Sequence, residues 1–206
     1  MIGIIDTGMS NLGSIKRWLS SQDLEFYIIK SVEDFKTINL LIFPGVGSFD
    51  IVIKYLDSTG LGDKIREYLN NGGKYLGICL GFQILFSKSE EGKKKGLGLF
   101  KENISVLNKF NNITLPHVGF NEVIIDDFKS NFNEFSSRAF YFTHSYGLIE
   151  FDSSLNIITG KTKYQGVEIV SYIENKNIIA VQFHPEKSSS LGIVLLKKII
   201  EWSKKD

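Results

Sequence analysis

Two rhythms of apolar residues divide the first half of the chain. Short, mostly apolar runs lie at residues 2–5, 24–29, 39–43 and 74–78, followed in turn by Asp6, Lys30, Pro44-Gly45 and Cys79. Runs of that length predict strands buried on both faces. Between them the apolar residues fall at helical spacing. One helix is expected through Lys16, Arg17, Trp18 and Leu19, with Ser10 or Asn11 placed to cap it. A second is opened by Ser48 or Asp50 and runs to about Leu56, and a third covers 61–71, closed by Gly72-Gly73. Strand and helix in alternation predict an α/β fold with a mainly parallel central sheet flanked by helices.

The second half changes period. Segments at 103–107, 122–125, 139–142, 147–149 and 156–159 read as short strands, and 165–173 with 177–183 as a hairpin around Glu174-Asn175-Lys176-Asn177. These predict additional antiparallel strands. Phe82-Gln83-Ile84-Leu85-Phe86 has the spacing of a helix. Lys93-Lys94-Lys95-Gly96 reads as a solvated basic turn, and residues 191–202 as a final helix with lysines late in it. No repeat or linker interrupts the pattern, so one domain over 1–206 is expected.

Composition narrows the class. The 206 residues are 43% hydrophobic and 23% charged, ordinary for a soluble globular chain. A net charge of +1 gives no bulk attraction to nucleic acid or to an anionic membrane. The single cysteine excludes an internal disulfide. The N-terminus lacks the basic and long apolar regions of a signal peptide, and no run reaches the roughly 18 apolar residues of a membrane span, so a cytoplasmic location is expected.

The candidate chemistry centres on that cysteine. Gly77-Ile78-Cys79-Leu80-Gly81 follows an apolar run and precedes residues at helical spacing. It has the form of a nucleophile elbow, in which a strained turn between small neighbours lifts the nucleophile above the strand end. The Leu80 N–H is the natural first oxyanion donor. A thiol nucleophile needs a base and a group to orient it. Of the three histidines, His184 ends an apolar strand and is followed by Pro185-Glu186, which puts a carboxylate two positions on, within reach of the ring. Pro44-Gly45-Val46-Gly47 is a flexible loop at another strand end, suited to a second oxyanion donor. Loops at the carboxyl ends of parallel strands converge on one crevice, so residues 7–11, 44–47 and the elbow are expected to meet.

The two strings 77–83, Gly-Ile-Cys-Leu-Gly-Phe-Gln, and 181–186, Val-Gln-Phe-His-Pro-Glu, together resemble the class I glutamine amidotransferases of the Cys-His-Glu type, over nearly the whole chain. Within that family the chain is most similar to the glutaminase subunits of imidazole glycerol phosphate synthase. This rests on residues 8–11, Pro44-Gly45-Val46-Gly47-Ser48-Phe49, the string 115–121, the string 141–146, and Pro185-Glu186-Lys187-Ser188. The resemblance implies Cys79 as nucleophile, His184 as general base and acid, and Glu186 as its orienting carboxylate. It implies Val46 and Leu80 as oxyanion donors, and Gly47, Gln83, Glu91, Thr143, His144, Ser145 and Tyr146 as the glutamine site, with Glu91 opposite the substrate ammonium. Asn11, Phe120, Asn121, Tyr141 and Lys187 are implied at the partner interface and ammonia exit. It further implies a Pro-Gly-Val-Gly loop unproductive until the partner engages. The implied partner is a (β/α)8-barrel synthase in a heterodimer, converting a ribulosyl-formimino intermediate into imidazole glycerol phosphate and an aminoimidazole carboxamide ribotide. No metal or organic cofactor is expected; Cys/His clusters and a P-loop are lacking.

One residue departs from that subgroup, which usually carries tryptophan where this chain has Phe120, in a Gly-Phe-Asn stretch read as a turn. Glutaminases that feed ammonia to amidino groups on surface sugars share this variant, so that acceptor stays open beside the histidine-pathway one. Two other classes share parts of the pattern: a stand-alone cysteine peptidase or γ-glutamyl hydrolase, and a non-catalytic binding subunit.

Overall fold

The computed structural model describes residues 1–9, 12–109, 112–125, 127–152 and 157–205. The first half runs β1 (Ile2–Ile5), α1 (Gly13–Ser21), β2 (Phe26–Ile29), β3 (Leu40–Gly45), α2 (Phe49–Thr59), α3 (Leu61–Asn70) and β4 (Lys74–Cys79). Each strand lies on an apolar run of the sequence. Each helix buries one stripe: Ile15, Trp18 and Leu19 on α1; Phe49, Val52, Ile53 and Leu56 on α2; Leu61, Ile65 and Leu69 on α3. A one-turn helix α4 (Leu80–Gln83) follows β4. The second half runs β5 (Phe86–Ser89), β6 (Phe100–Val106), β7 (His117–Ile125), β8 (Arg138–His144), β9 (Tyr146–Gly147), β10 (Ile158–Tyr164), β11 (Val167–Asn175), β12 (Ile178–Val181) and α5 (Ser189–Ser203).

Nine strands form one sheet in the order β2-β1-β3-β4-β12-β11-β10-β7-β8. It is parallel from β2 to β12 and antiparallel beyond, so β12 is the hinge between the two halves of the chain. A smaller sheet joins β5, β6 and β9. Successive residues of the parallel strands point to opposite faces and build two cores. Ile4, Ile42, Leu76 and Ile78 pack under α1 and α5; Ile5, Leu41, Phe43 and Tyr75 pack under α2 and α3. The antiparallel end curls back toward the middle: Phe140 of β8 stacks on Phe183 at 4.2 Å, and the His184 N–H donates to the Tyr141 carbonyl at 2.8 Å. Among the described residues no helix is long and apolar enough to cross a membrane.

Several expectations need correction. The helix expected over residues 82–86 is one turn, and Phe86 already begins β5; Phe82, Ile84, Leu85 and Phe86 are all buried, so their spacing marks no single face. The stretch Gly119-Phe120-Asn121 is not a turn but lies inside β7, which is longer than the 122–125 expected. The segments at 147–149 and 156–159 are β9 and the start of β10, with the latter's first expected residue, 156, outside the described residues. Ser48 stands at the start of α2 without a side-chain cap, while Asp50 accepts the Lys93 and Lys94 N–H groups. The basic turn is therefore fastened to α2 rather than simply solvated. No basic residue occupies the last turn of α5; Lys198 instead pairs with Glu134. Ser10 and Asn11, expected as caps and, for Asn11, at the interface, lie outside the described residues; Leu12 holds the position before α1.

Candidate active site

β4 lies between β3 and β12 in the parallel half, and its last residue is Cys79. Cys79 has φ 52° and ψ −100°, a conformation that costs a side-chain-bearing residue energy and persists only under constraint from its surroundings. The constraint is close packing of backbone. A Cβ on Gly81 would lie 2.0 Å from the Phe43 carbonyl oxygen, and one on Gly77 would lie 2.5 Å from the Gly81 carbonyl oxygen. Glycine at both places lets β3 and the turn after Cys79 approach. Tyr75 donates its hydroxyl to the same Gly81 carbonyl at 2.7 Å and locks the turn from below.

His184 arrives from the neighbouring strand. β12 pairs in parallel with β4, Val181 opposite Ile78, and Gln182-Phe183-His184 continues past the strand end. Pro185 opens a short 3-10 turn, Pro185–Lys187, that brings the Glu186 Oε1 within 2.7 Å of His184 Nδ1. The carboxylate accepts, so Nδ1 carries a proton and Nε2 is left for other work. The backbone on both sides is pinned: Ser188 Oγ donates to the His184 carbonyl and accepts the Tyr141 N–H. Nε2 is enclosed and makes no well-aligned hydrogen bond among the described residues. Burial disfavours the charged ring, but the Cys79 sulfur and then Glu186 outweigh it and raise the imidazole to about 10. An imidazolium beside a sulfur and a carboxylate is the state that favours a thiolate.

In front of Cys79 lies a pocket of about 280 Å³ whose lining is Val46, Gly47, Cys79, Leu80, Gln83, Glu91 and the segment Thr143, His144, Ser145, Tyr146. All the residues expected at the oxyanion and glutamine sites thus meet around the sulfur. Glu91 Oε2 accepts the Phe49 N–H at 3.2 Å and forms no ion pair among the described residues. Burial raises its carboxyl above the usual range, opposed by that N–H, with the Asp50 charge adding to the rise. His184 and Glu186 stand behind the sulfur, and with Val46, Ser14 and Lys187 line a separate cavity of about 70 Å³. On the outer side Lys187 lies over the Tyr141 ring at 5.9 Å, and Phe120 meets Tyr141 edge-on at 5.6 Å. Asn121, expected beside them, is half-buried and turns to the other face of β7, with its Nδ2 3.0 Å from His117 Nε2.

Two residues carry more of the site than the sequence alone indicated. Gln182, buried in an apolar strand end, places its Nε2 3.6 Å from the Cys79 sulfur and accepts the Gln83 Nε2 at 2.9 Å. His117 is paired in register with His144, their rings bonded at 3.0 Å. The available signal was a polar side chain inside an apolar run, at Gln182; for His117 there was none, because the strand expected there began at residue 122 and only the structure extends it back to 117.

Similarity to known proteins was found at three levels. Residues 3–200 match the model of the family described as glutamine amidotransferase class-I. A protein of Prochlorococcus marinus, named imidazole glycerol phosphate synthase subunit HisH, is 40% identical, with 100% of this chain and 96% of that protein covered. Proteins of the same name from Caldanaerobacter subterraneus and Pyrococcus furiosus are each 39% identical, with 99% and 95% of this chain and 99% and 96% of those proteins covered. Among solved structures, one described as a glutamine amidotransferase superposes with a TM-score of 0.74 at 16% identity, covering 99% of both chains. The PurLQS structure from Thermotoga maritima does so with a TM-score of 0.74 at 18% identity over 98% of both chains. At these identities the structural likeness speaks for the fold.

Proposed function

The chain belongs to the class I glutamine amidotransferases, and we propose that it is the glutaminase subunit of an imidazole glycerol phosphate synthase, releasing ammonia from glutamine for a separate synthase subunit. The observation that carries this is the convergence of the pocket: Cys79, in its strained conformation, faces every residue expected to hold glutamine. The names of its full-length relatives supply the acceptor reaction.

The chemistry follows from the groups present. The Cys79 thiolate attacks the carboxamide carbon of glutamine, and the oxyanion is held by the Val46 and Leu80 N–H groups. His184 gives its Nε2 proton to the leaving nitrogen, and the tetrahedral adduct collapses with cleavage of the C–N bond, releasing ammonia and leaving a γ-glutamyl thioester on Cys79. His184 then takes a proton from water, which attacks the thioester; glutamate leaves and the proton returns to the Cys79–His184 pair. Glu186 keeps the ring in its working tautomer and stabilises the imidazolium. Glu91 is the counter-charge for the substrate ammonium, and Gln83 with the 143–146 segment holds the rest of the amino acid. The partner is read as a (β/α)8 barrel seated on the Phe120, Asn121, Tyr141 and Lys187 side.

Cys79→Ser tests the core of this. Glutamine-dependent synthesis by the complex should disappear, while synthesis from added ammonium salt continues. Retained glutamine-dependent synthesis would remove Cys79 from the mechanism. Phe120, in place of the usual tryptophan, favours a second acceptor, an amidino-sugar pathway. Failure to bind a histidine-pathway barrel, with tight binding to a barrel of surface-sugar modification, would select it. Full glutaminase activity without any partner would favour a stand-alone hydrolase.

A further inference from the structure

A single run of hydrogen bonds leads from β7 to the sulfur. Asn121 Nδ2 bonds His117 Nε2 at 3.0 Å; His117 Nδ1 bonds His144 Nε2 at 3.0 Å; His144 Nδ1 bonds the Tyr146 carbonyl at 2.8 Å. That same carbonyl accepts the Gln83 Nε2 at 2.8 Å. Gln83 Nε2 also reaches Gln182 Oε1, and Gln182 Nε2 reaches Cys79.

The direction of each bond is fixed by one group that can only accept. The Tyr146 carbonyl requires a proton on His144 Nδ1. Neutral His144 then has a bare Nε2, which requires a proton on His117 Nδ1. Neutral His117 in turn has a bare Nε2, which the Asn121 amide satisfies. Both rings are buried, and burial holds His117 down to about 4 and His144 to about 3, so both are neutral at physiological pH. The His117 ring is stacked between Phe142 at 4.7 Å and Tyr164 at 4.0 Å.

We propose that His117 is a positioning residue for the pocket: its Nδ1–H sets His144 in the Nδ1–H tautomer, which holds the Tyr146 carbonyl where Gln83 shares it. Without that donation His144 is free to carry its proton on Nε2. Its bare Nδ1 would then face the Tyr146 oxygen, lone pair against lone pair, and the peptide beside the substrate would shift. The inference rests on the glutaminase reading for its kinetic consequence but not for the tautomer itself.

Two variants separate donation from packing. In His117→Asn the side-chain amide nitrogen falls at the Nδ1 position and can still donate; in His117→Gln it falls at the Nε2 position and cannot. Both lose the stacked ring, so a purely structural role would affect them alike. The ring nitrogens of His144 are read by 15N NMR, and glutamine kinetics are measured in the complex with its synthase, with ammonium-driven synthesis as control. The expected result is Nδ1–H on His144 in the unmodified protein and in His117→Asn, lost in His117→Gln. With it, kcat/KM for glutamine should be about three- to tenfold lower in His117→Gln than in His117→Asn, and ammonium-driven synthesis equal in both. A proton on His144 Nε2 in the unmodified protein, or equal losses in the two variants, would overturn the proposal; the first needs no variant to fold. Absence of glutamate release by the unmodified complex would instead sink the glutaminase reading, and the tautomer would still decide whether His117 donates.

Discussion

At the scale of single residues the three histidines are set in opposite directions, and this predicts how stability follows pH. His184 is raised to about 10, so the folded state holds a proton that the unfolded chain releases near 6.5. Its contribution is full below that value and is lost as pH rises toward 10. His117 and His144 lie at about 4 and 3, so their contribution is present above 6.5 and is lost as pH falls toward 4 and below. Thermal melts across pH should therefore show a maximum near neutrality. Replacing Cys79 by alanine should flatten the alkaline side, because the sulfur is the largest influence raising His184. An alkaline side that is unchanged in Cys79→Ala would mean that His184 is not paired with the sulfur. Glu186→Gln should keep the ring in place yet lower glutamine turnover, since an amide oxygen accepts the Nδ1–H without a negative charge. Steady-state assay of the complex checks this, and a rate equal to the unmodified protein would assign the orienting role elsewhere.

At the scale of elements, the elbow is the most tightly determined piece of chain. Gly81→Ala puts a methyl 2.0 Å from a backbone oxygen that no side-chain motion can relieve. We expect a stability loss of about 1–3 kcal/mol or more, read from denaturant midpoints, together with loss of glutaminase activity as Cys79 is displaced. The glycines of the elbow were legible because their pattern is local. So were β1, β3 and β4, whose apolar runs are short and bounded by turn residues, and the β11–β12 hairpin. What was not legible depended on distant partners. The helix after Cys79 reads as long because its apolar residues are buried on every side. The basic turn reads as loose because Asp50, which fastens it, lies more than forty residues earlier. His117 gains its meaning only when β7 and β8 align it with His144.

For the whole molecule, the curl of the antiparallel strands turns one face of β7 outward beside the site. Val118, Phe120 and Ile124 alternate with buried and half-buried residues along it, and Phe120 is 54% exposed. At that exposure Phe120 is not part of this subunit's own core. Phe120→Ala is expected to weaken binding of the synthase subunit by roughly 1–3 kcal/mol while the melting temperature of the lone subunit barely moves. Titration calorimetry and melting of the isolated chain check the two halves; a large fall in melting temperature would return Phe120 to an internal role. The α/β class was readable from alternation alone, whereas the fold-back that joins β8 to His184 was not, because strand order carries no mark in local sequence.

The bond between Glu91 and the Phe49 N–H joins the far wall of the pocket to the first turn after the Pro-Gly-Val-Gly loop. A ligand ammonium that draws the Glu91 carboxylate toward itself competes with that N–H, and so changes what anchors the loop. Anything that resets the loop must in return change how firmly Glu91 is available to the ligand. Thermodynamic linkage makes the two effects equal: the factor by which glutamine alters affinity for the synthase is the factor by which the synthase alters affinity for glutamine.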